Sequence, residues 1–190
     1  MEGRAQRRRQ IRRDVPAGTV RLFFALWPEA GAQRALGALA QDLKREYGGR
    51  AVPRHNVHLT LIFLGNVERT RIPRLEALAA GIRGARFDLA VNCVEFWPHN
   101  RITWAGTRHC PEALRELVAR LGQGLAAEGF RVDGRPYVPH ITLLRNARRP
   151  TVTAAPPVIN WPVTGFALVE SAQRERGRVY EVVREWPLTA

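Results

Sequence analysis

The sequence predicts a mixed α+β fold, and three observations carry this prediction. Segments rich in β-forming residues alternate with segments whose apolar residues recur at helical spacing. Hairpin signals, including a Pro-His-Asn turn at residues 98–100, interrupt that alternation. Too few strand–helix–strand units remain for a doubly wound parallel sheet, so the pattern is typical of an α+β protein.

The first half of the chain alternates strands and helices. Residues 20–27 are a dense β-forming run that Pro28 ends, and residues 57–64 are a second such run. In residues 29–47 the apolar side chains recur at helical spacing until two glycines follow. In residues 72–82 four apolar side chains share one helical face. These signals predict two strands and two helices.

The second half adds a hairpin, a helix and further strands. Residues 87–97 alternate like a strand, and residues 101–105 return after the turn. Residues 111–125 carry five apolar residues at helical spacing, with Pro111 near the start, where proline is tolerated. Three more strands are expected at residues 141–144, 166–171 and 179–183.

The chain divides into a short basic tail and one domain. The first 14 residues contain six arginines against two acidic residues, and Ile11 is their one apolar β-branched residue. Such a segment buries little surface, so residues 1–18 are expected to be disordered. Residues 19–190 are expected to form a single domain, large enough to fold without disulfides or metal. The tail has three interpretations: an arm that helps to hold RNA, a solvated extension, or a start codon placed too early.

Positive charge is the main compositional signal. The chain has 30 Lys and Arg residues against 17 Asp and Glu residues, a formal net charge of +13, and Lys44 is the single lysine. Guanidinium groups suit bidentate phosphate binding, so this balance favours a polyanionic partner, with nucleic acid ahead of a membrane surface. A GC-rich genome is an alternative explanation for the ratio of arginine to lysine.

The cysteines and the apolar runs exclude several protein classes. Cys93 and Cys110 lack zinc-ligand spacing, so we expect two free thiols and no metal site. No apolar run approaches the ~20 residues of a membrane span, so no membrane crossing is expected. The first residues have no apolar core of the kind found in secretory signals, which indicates the cytoplasm.

One short pattern occurs twice. His58-Leu59-Thr60-Leu61 and His140-Ile141-Thr142-Leu143 are both His-x-Thr-x with aliphatic x. Five histidines and ten threonines placed at random would give roughly 0.3 His-x-Thr pairs, so two are unusual. Because strand side chains alternate, each histidine and its threonine share one face while the aliphatic residues take the other.

Two such faces brought together would form a cleft with two imidazoles and two hydroxyls. One neutral imidazole could take a proton from water, and one imidazolium could protonate a leaving oxygen. The hydroxyls could donate to phosphate oxygens as charge develops in the transition state. This arrangement suits phosphodiester cleavage without a metal, whereas a lone His-x-Thr is more often a half-buried structural histidine.

Both patterns resemble the signature of the two-histidine (2H) phosphoesterase superfamily. Within it, the chain is similar to the RNA 2′,3′-cyclic phosphodiesterases, also named 2′-5′ RNA ligases, from about Arg21 to Pro187. The resemblance implies a bilobal α+β fold, with two antiparallel sheets facing each other across a V-shaped groove and helices outside. The two His-x-Thr motifs would lie at the base of that groove.

The resemblance also implies an activity and its residues. The family hydrolyses 2′,3′-cyclic phosphate ends of RNA to 2′-phosphates, and it forms 2′-5′ linkages between tRNA halves in the reverse reaction. By this analogy His58 is the general acid and His140 the general base, although the near-symmetry of the two motifs leaves the order open. Thr60 and Thr142 would bind the phosphate. We expect a monomer that needs no cofactor and no metal.

Two further residues are candidates. Arg145 occupies a position where the family places a phosphate-contacting arginine, and the alternative is a surface arginine at a strand end. Tyr137 could stack on a base, or it could pack in the core. Phe63 is predicted to be a core residue. Trp97 and Trp104 are predicted to pack beside the hairpin turn, and the remaining histidines, His55, His99 and His109, are predicted to lie on the surface.

Three alternative functions remain to be weighed. A non-catalytic RNA-binding module would fit the charge equally well, but pure binding needs neither histidine nor threonine pair. A related enzyme would act on cyclic phosphates of small nucleotides. An ATP-dependent ligase is disfavoured. Such ligases use a lysine nucleophile, and the single lysine, Lys44, lies in a predicted helix. The sequence also has no phosphate-binding Gly-Lys-Ser/Thr loop.

Overall fold

The computed structural model describes residues 18–149, 156–174 and 177–189. The predicted tail, residues 1–18, lies outside these ranges except for Gly18. Within the described residues, no helix combines the length and the apolar composition that crossing a lipid bilayer requires.

The described residues form strands and α-helices in an α+β arrangement, as predicted. Three helices are present among them, α1 (Ala30–Tyr47), α2 (Ile72–Gly81) and α3 (Glu112–Ala127). The strands are β1 (Thr19–Leu26), β2 (Arg50–Ala51), β3 (Leu59–Glu68), β4 (Phe87–Val91), β5 (Cys93–Trp97), β6 (Ile102–Gly106), β7 (His140–Arg145), β8 (Ile159–Val163), β9 (Gly165–Arg174) and β10 (Gly177–Pro187).

Three features of the strands differ from the prediction, and one of them is the short strand β2, which the sequence analysis does not predict. The single strand expected at residues 87–97 is two strands, since it breaks at Asn92 and β4 leaves the large sheet. There β4 pairs with β8 in a separate two-stranded sheet. The sequence did not predict β8 because Pro162, which cannot donate a ladder hydrogen bond, lies inside it.

The large sheet consists of two antiparallel halves that meet at one residue pair. Its hydrogen-bonded order is β10-β9-β1-β3-β7-β6-β5, and the short strand β2 also pairs with β7. Strands β3 and β7 are in register at Leu59 and Ile141 alone. The bilobal α+β prediction is confirmed, and the structure adds that this pair joins the two sheets into one ladder.

The main hydrophobic core lies between one face of the large sheet and the helices. Helix α1 begins after Glu29, whose carboxylate accepts hydrogen bonds from the backbone of Gly31 at 2.6 Å and of Ala32 at 2.7 Å. Such a cap stabilises a helix by about 1 kcal/mol. Helix α3 buries one complete stripe, consisting of Leu114, Leu117, Leu121 and Leu125. The helices therefore cover the face of the sheet that is not available for chemistry.

The opposite face of the sheet, here called the site face, carries a small apolar cluster in each half. The first cluster consists of Phe23, Ala25, Ala167 and Val169, with Trp27 and Tyr180 packed against it. The second cluster consists of Cys93, Ile102 and Trp104, with Trp97 packed against it. Because strand side chains alternate, these residues interleave with neighbours that point into the main core.

Candidate active site

The two His-x-Thr motifs lie where the halves of the sheet meet. Leu59 and Ile141, the middle residues of the motifs, pair with each other and are fully buried in the main core. The antiparallel register that they define places His58 opposite Thr142, and Thr60 opposite His140, on the site face. Both imidazoles and both hydroxyls thus point to the same side of the junction.

Each motif strand carries a β-bulge directly after its threonine. In β3 the bulge is at Leu61, because Thr60 pairs with Ala25 while Ile62 pairs with Phe24. In β7 it is at Leu143, between the residues that pair with Trp104 and Thr103. An extra residue shifts the alternation of faces by one position. The residue three positions beyond each threonine therefore turns to the site face.

Arg145 and Phe63 are the two residues that the bulges place on the site face. Arg145 pairs with Ile102 of the second cluster, and Phe63 pairs with Phe23 of the first cluster. The Phe63 ring is 47% exposed, with the Arg21 guanidinium 4.5 Å from its centroid. The prediction that Phe63 belongs to the core is wrong, because a regular strand would have turned it inward and the bulge reverses that.

Hydrogen bonds fix the orientation of the His58 ring. Its Nδ1 lies 2.7 Å from the carbonyl oxygen of Asn56, and its Nε2 lies 3.1 Å from Thr60 Oγ1. A carbonyl oxygen can only accept, so Nδ1 carries a proton and donates it. In the neutral ring, Nε2 is then the acceptor of the Thr60 hydroxyl, and it is the nitrogen that faces the site.

Aromatic rings enclose His58 on the other sides. Trp27 stacks on the imidazole with 5.5 Å between centroids and 4° between planes. Phe23 lies 4.8 Å away, and Tyr180 meets the ring edge-on at 5.0 Å. The first apolar cluster therefore holds this histidine in a largely desolvated position.

His140 is held in the same manner by the second half. Its Nδ1 lies 2.9 Å from the carbonyl oxygen of Val138, so that nitrogen also donates. Trp97 and Trp104 of the second cluster meet the imidazole edge-on, with centroids 4.6 Å and 6.1 Å away. The tryptophans pack, as the sequence predicts, and the ring against which they pack is this histidine.

The surroundings lower the pKa of both histidines. Burial lowers the pKa of His58 to about 4, and the positive charges of Arg145 and His140 add to that effect against the favourable Asn56 carbonyl. Burial, followed by the charge of Arg145, also lowers the pKa of His140. Both rings are neutral at pH 7 when the site is empty. The charge of Arg145 therefore acts on both imidazoles.

Comparison with known proteins identifies the family of this chain. The family model described as the 2′-5′ RNA ligase superfamily matches residues 28–175. The chain belongs to the 2′-5′ RNA ligase superfamily. The membership confirms the 2H phosphoesterase resemblance on which the sequence prediction rests.

Individual members of the superfamily resemble the chain over nearly its whole length. The RNA 2′,3′-cyclic phosphodiesterase of Escherichia coli (strain K12) is 38% identical, covering 89% of this chain and 97% of the relative. The protein of the same name from Thermus thermophilus is 34% identical, covering 89% and 90%. The structure of E. coli LigT complexed with 3′-AMP superposes with a TM-score of 0.84 and 32% identity, over 90% of this chain and 99% of LigT.

Tyr137 is a predicted site residue that the structure places beneath the superfamily motifs. Its hydroxyl donates to the backbone carbonyl of Thr60 at 3.0 Å, and its ring packs against the main core. Burial raises the pKa of this phenol. Of the two roles that the sequence left open, these contacts favour packing, and they tie the approach to the second motif to the first motif strand.

Several residues around the superfamily motifs were missed by sequence reasoning. Trp27, Tyr180 and Asn56 contact His58, and each comes from a different segment of the chain. The sequence shows that Phe63 follows the first motif closely, but the face to which its side chain points depends on the bulge. Among the described residues, no group of three or more His, Cys, Asp or Glu side chains is arranged to hold a metal ion. The three remaining histidines are exposed, as predicted.

Proposed function

We propose that this protein is an RNA 2′,3′-cyclic phosphodiesterase that hydrolyses cyclic phosphate ends to 2′-phosphomonoesters. The observation that carries the proposal is the pairing of Leu59 with Ile141, which sets two His-x-Thr motifs side by side on one face. The relatives that bear this name support it, since two of them each align with 89% of the chain.

The two imidazoles divide the proton transfers of the reaction. His140 Nε2 takes a proton from water as the water oxygen attacks phosphorus. The negative charge of the bound phosphate favours the protonated form of His58, and its Nε2 then gives a proton to the 3′-oxygen as the bond between that oxygen and phosphorus breaks. A 2′-phosphomonoester and a free 3′-hydroxyl result, and the two histidines have exchanged protonation states. Because both Nδ1 atoms donate to carbonyls, Nε2 is the reactive nitrogen in each ring.

Three further side chains stabilise the charge on the phosphate. Once His58 is protonated, its Nε2 no longer accepts the Thr60 hydroxyl, and the hydroxyls of Thr60 and Thr142 donate to non-bridging oxygens. The guanidinium of Arg145, on the same face, offsets charge that grows in the transition state. Before the substrate arrives, the Thr60 hydroxyl is hydrogen-bonded to His58, so this hydroxyl changes its partner when the phosphate binds.

The proposal is tested by product analysis in EDTA. An oligonucleotide with a 2′,3′-cyclic phosphate end is incubated with the protein, and we expect a 2′-phosphate product. His58→Ala and His140→Ala should each lower kcat at least 100-fold, since general acid–base catalysis contributes about that much. His109→Ala, an exposed histidine, is the matched control. A 3′-phosphate product, or undiminished turnover in both variants, would contradict the proposal.

The same experiment separates the alternative of a non-catalytic RNA-binding module. In that case no turnover occurs, and salt-sensitive RNA affinity is unchanged by both histidine substitutions.

We further propose a metal-independent, cytoplasmic monomer. Full activity in EDTA tests metal independence. The mass measured in solution by light scattering tests the monomeric state. Reverse 2′-5′ ligation is tested with two RNAs. One has a 2′,3′-cyclic phosphate end, and the other has a 5′-hydroxyl end and is supplied at high concentration.

A further inference from the structure

Two arginines lie directly opposite each other at one edge of the site. Arg50 of β2 pairs in register with Arg145 of β7, and both side chains are exposed. Among the described residues, no carboxylate forms an ion pair with either guanidinium. Like charges directly opposite on adjacent strands destabilise a sheet. An anion between them would remove that repulsion.

The pair faces the site and not the core. The next residues along the two strands, Ala51 and Leu144, pair with each other and pack into the main core. Residues that pair directly share a face, so Arg50 follows Arg145 to the site face, where Ile102 is the neighbour on the other side.

The backbone holds β2 unusually close to β7. Gly49, just before Arg50, has φ +79°, and a Cβ there would come within 2.7 Å of the Arg145 carbonyl oxygen. A side chain at this position would push the strands apart. The backbone therefore holds the two arginine positions close together, whatever conformations the two side chains adopt.

A third guanidinium extends the positive charge. Arg101 Nε donates to the carbonyl of Ala147 at 3.2 Å, two residues beyond Arg145. Arg101 therefore lies near the end of β7 that carries the arginine pair. Within the pair, Arg145 is the member next to the site, because its charge lowers the pKa of both imidazoles. Glu95 is an acidic residue of the same half, but it lies on β5 opposite Trp104, so strand β6 separates it from Arg145 on β7.

We propose that Arg50 binds the internucleotide phosphate immediately 5′ of the cyclic phosphate end, and that Arg145, which lies between Arg50 and the motifs, contacts both phosphates. The inference rests on the proposed function and narrows its substrate class to oligonucleotides. A nucleoside cyclic phosphate has one phosphate, which the His-x-Thr motifs bind. An RNA end has a second phosphate, and paired guanidiniums are suited to a phosphodiester anion.

The test compares three substrates that differ in the second phosphate. They are a nucleoside 2′,3′-cyclic phosphate, a dinucleotide with the same cyclic end, and that dinucleotide with an uncharged methylphosphonate linkage. The protein, Arg50→Gln and Arg50→Lys are assayed at several salt concentrations. Arg34→Gln is the matched control, because Arg34 is an exposed arginine on α1, on the far side of the sheet.

We expect the protein to have a kcat/KM about tenfold higher for the charged dinucleotide than for the other two substrates. Arg50→Gln should abolish this preference through KM, leave the nucleoside substrate within about twofold, and make the salt dependence shallower by about 0.7 in log–log slope. Arg50→Lys should restore part of the preference, because it keeps the charge and loses the fork.

Two results would overturn the inference while leaving the proposed function intact. One is an equal loss on the nucleoside and dinucleotide substrates in Arg50→Gln, which would place Arg50 at the reacting phosphate or in the fold. The other is an unchanged preference for the charged dinucleotide. Failure of the unaltered protein to turn over any of the three substrates would instead reject the proposed function.

Discussion

At the scale of single residues, the two histidines share one local device. Each Nδ1 donates to the carbonyl of the residue two positions earlier, which is Asn56 for one ring and Val138 for the other. The anchoring residues differ, since Asn56 is buried and its side chain donates to the Arg178 carbonyl at 3.1 Å, whereas Val138 is 45% exposed. The segment that holds the His58 ring is therefore tied to β10 through Asn56.

The shared influence of Arg145 predicts a shift in both titrations. Removing its charge in Arg145→Gln should raise the pKa of His58 from about 4 and also raise that of His140, because the guanidinium lowers both. The midpoints are measured by NMR of the imidazole Cε1 protons in the unliganded protein. Both should move to higher pH, and the limbs of the kcat/KM profile should follow.

The control for this titration is Arg34→Gln, which removes an equal charge from the outer helix. Unmoved midpoints in Arg145→Gln would mean that its guanidinium points away from the imidazoles. Bound phosphate should act in the same direction as the substitution, since an anion favours protonated rings. The limbs of kcat should thus lie at higher pH than those of kcat/KM.

At the scale of elements, strong local patterns were predictable and irregularities were not. Helix α3 follows directly from its stripe of leucines, and β1 from its dense run of β-forming residues. The bulges at Leu61 and Leu143 leave no local signal, because either leucine also fits a regular strand. The direction of Arg145 depends on the second bulge, so the sequence could name this residue but could not place it.

Tyr137 offers a prediction that separates its two roles. Tyr137→Phe removes the hydrogen bond to the Thr60 carbonyl and should cost about 1 kcal/mol. For a chain of this size, that lowers the melting temperature by roughly 2–4 °C in a thermal unfolding experiment. Substrate KM should change little, because the ring remains. An unchanged melting temperature, combined with a large rise in KM in Tyr137→Leu, would favour base stacking instead.

At the scale of the whole molecule, each half builds its own support for one histidine. The first cluster comes from β1 and β9 and encloses His58, and the second comes from β5 and β6 and encloses His140. The sequence predicted the four motif residues because they repeat. It could not predict Trp27, Tyr180 or Trp97 as their neighbours, since those contacts depend on which strands become adjacent.

The burial of the histidines predicts a pH dependence of global stability. The folded-state pKa of His58, about 4, lies below its unfolded value of about 6.5. Between these values the unfolded chain binds more protons, so stability is present above pH 6.5 and is lost as pH falls towards 4. For His58 the loss is on the order of 2–3 kcal/mol. His140 contributes in the same direction.

The measurement is urea unfolding of the protein and of His58→Gln between pH 7 and pH 4.5. The variant should lose less stability on acidification, because glutamine does not titrate, and carboxylates contribute equally to both proteins. Parallel pH dependences would show that His58 titrates in the folded protein as it does in the unfolded chain.

The matching bulges have a consequence for how a strand of RNA enters. A pair of interchangeable acid–base groups would by itself accept a substrate either way round. The positions after the bulges differ, since one side of the cleft carries the Phe63 ring with the Arg21 guanidinium over it, and the other carries the exposed guanidinium of Arg145. The two sides of the cleft are therefore unlike although the two motifs are alike, and an RNA end bound between them would meet different groups in its two orientations.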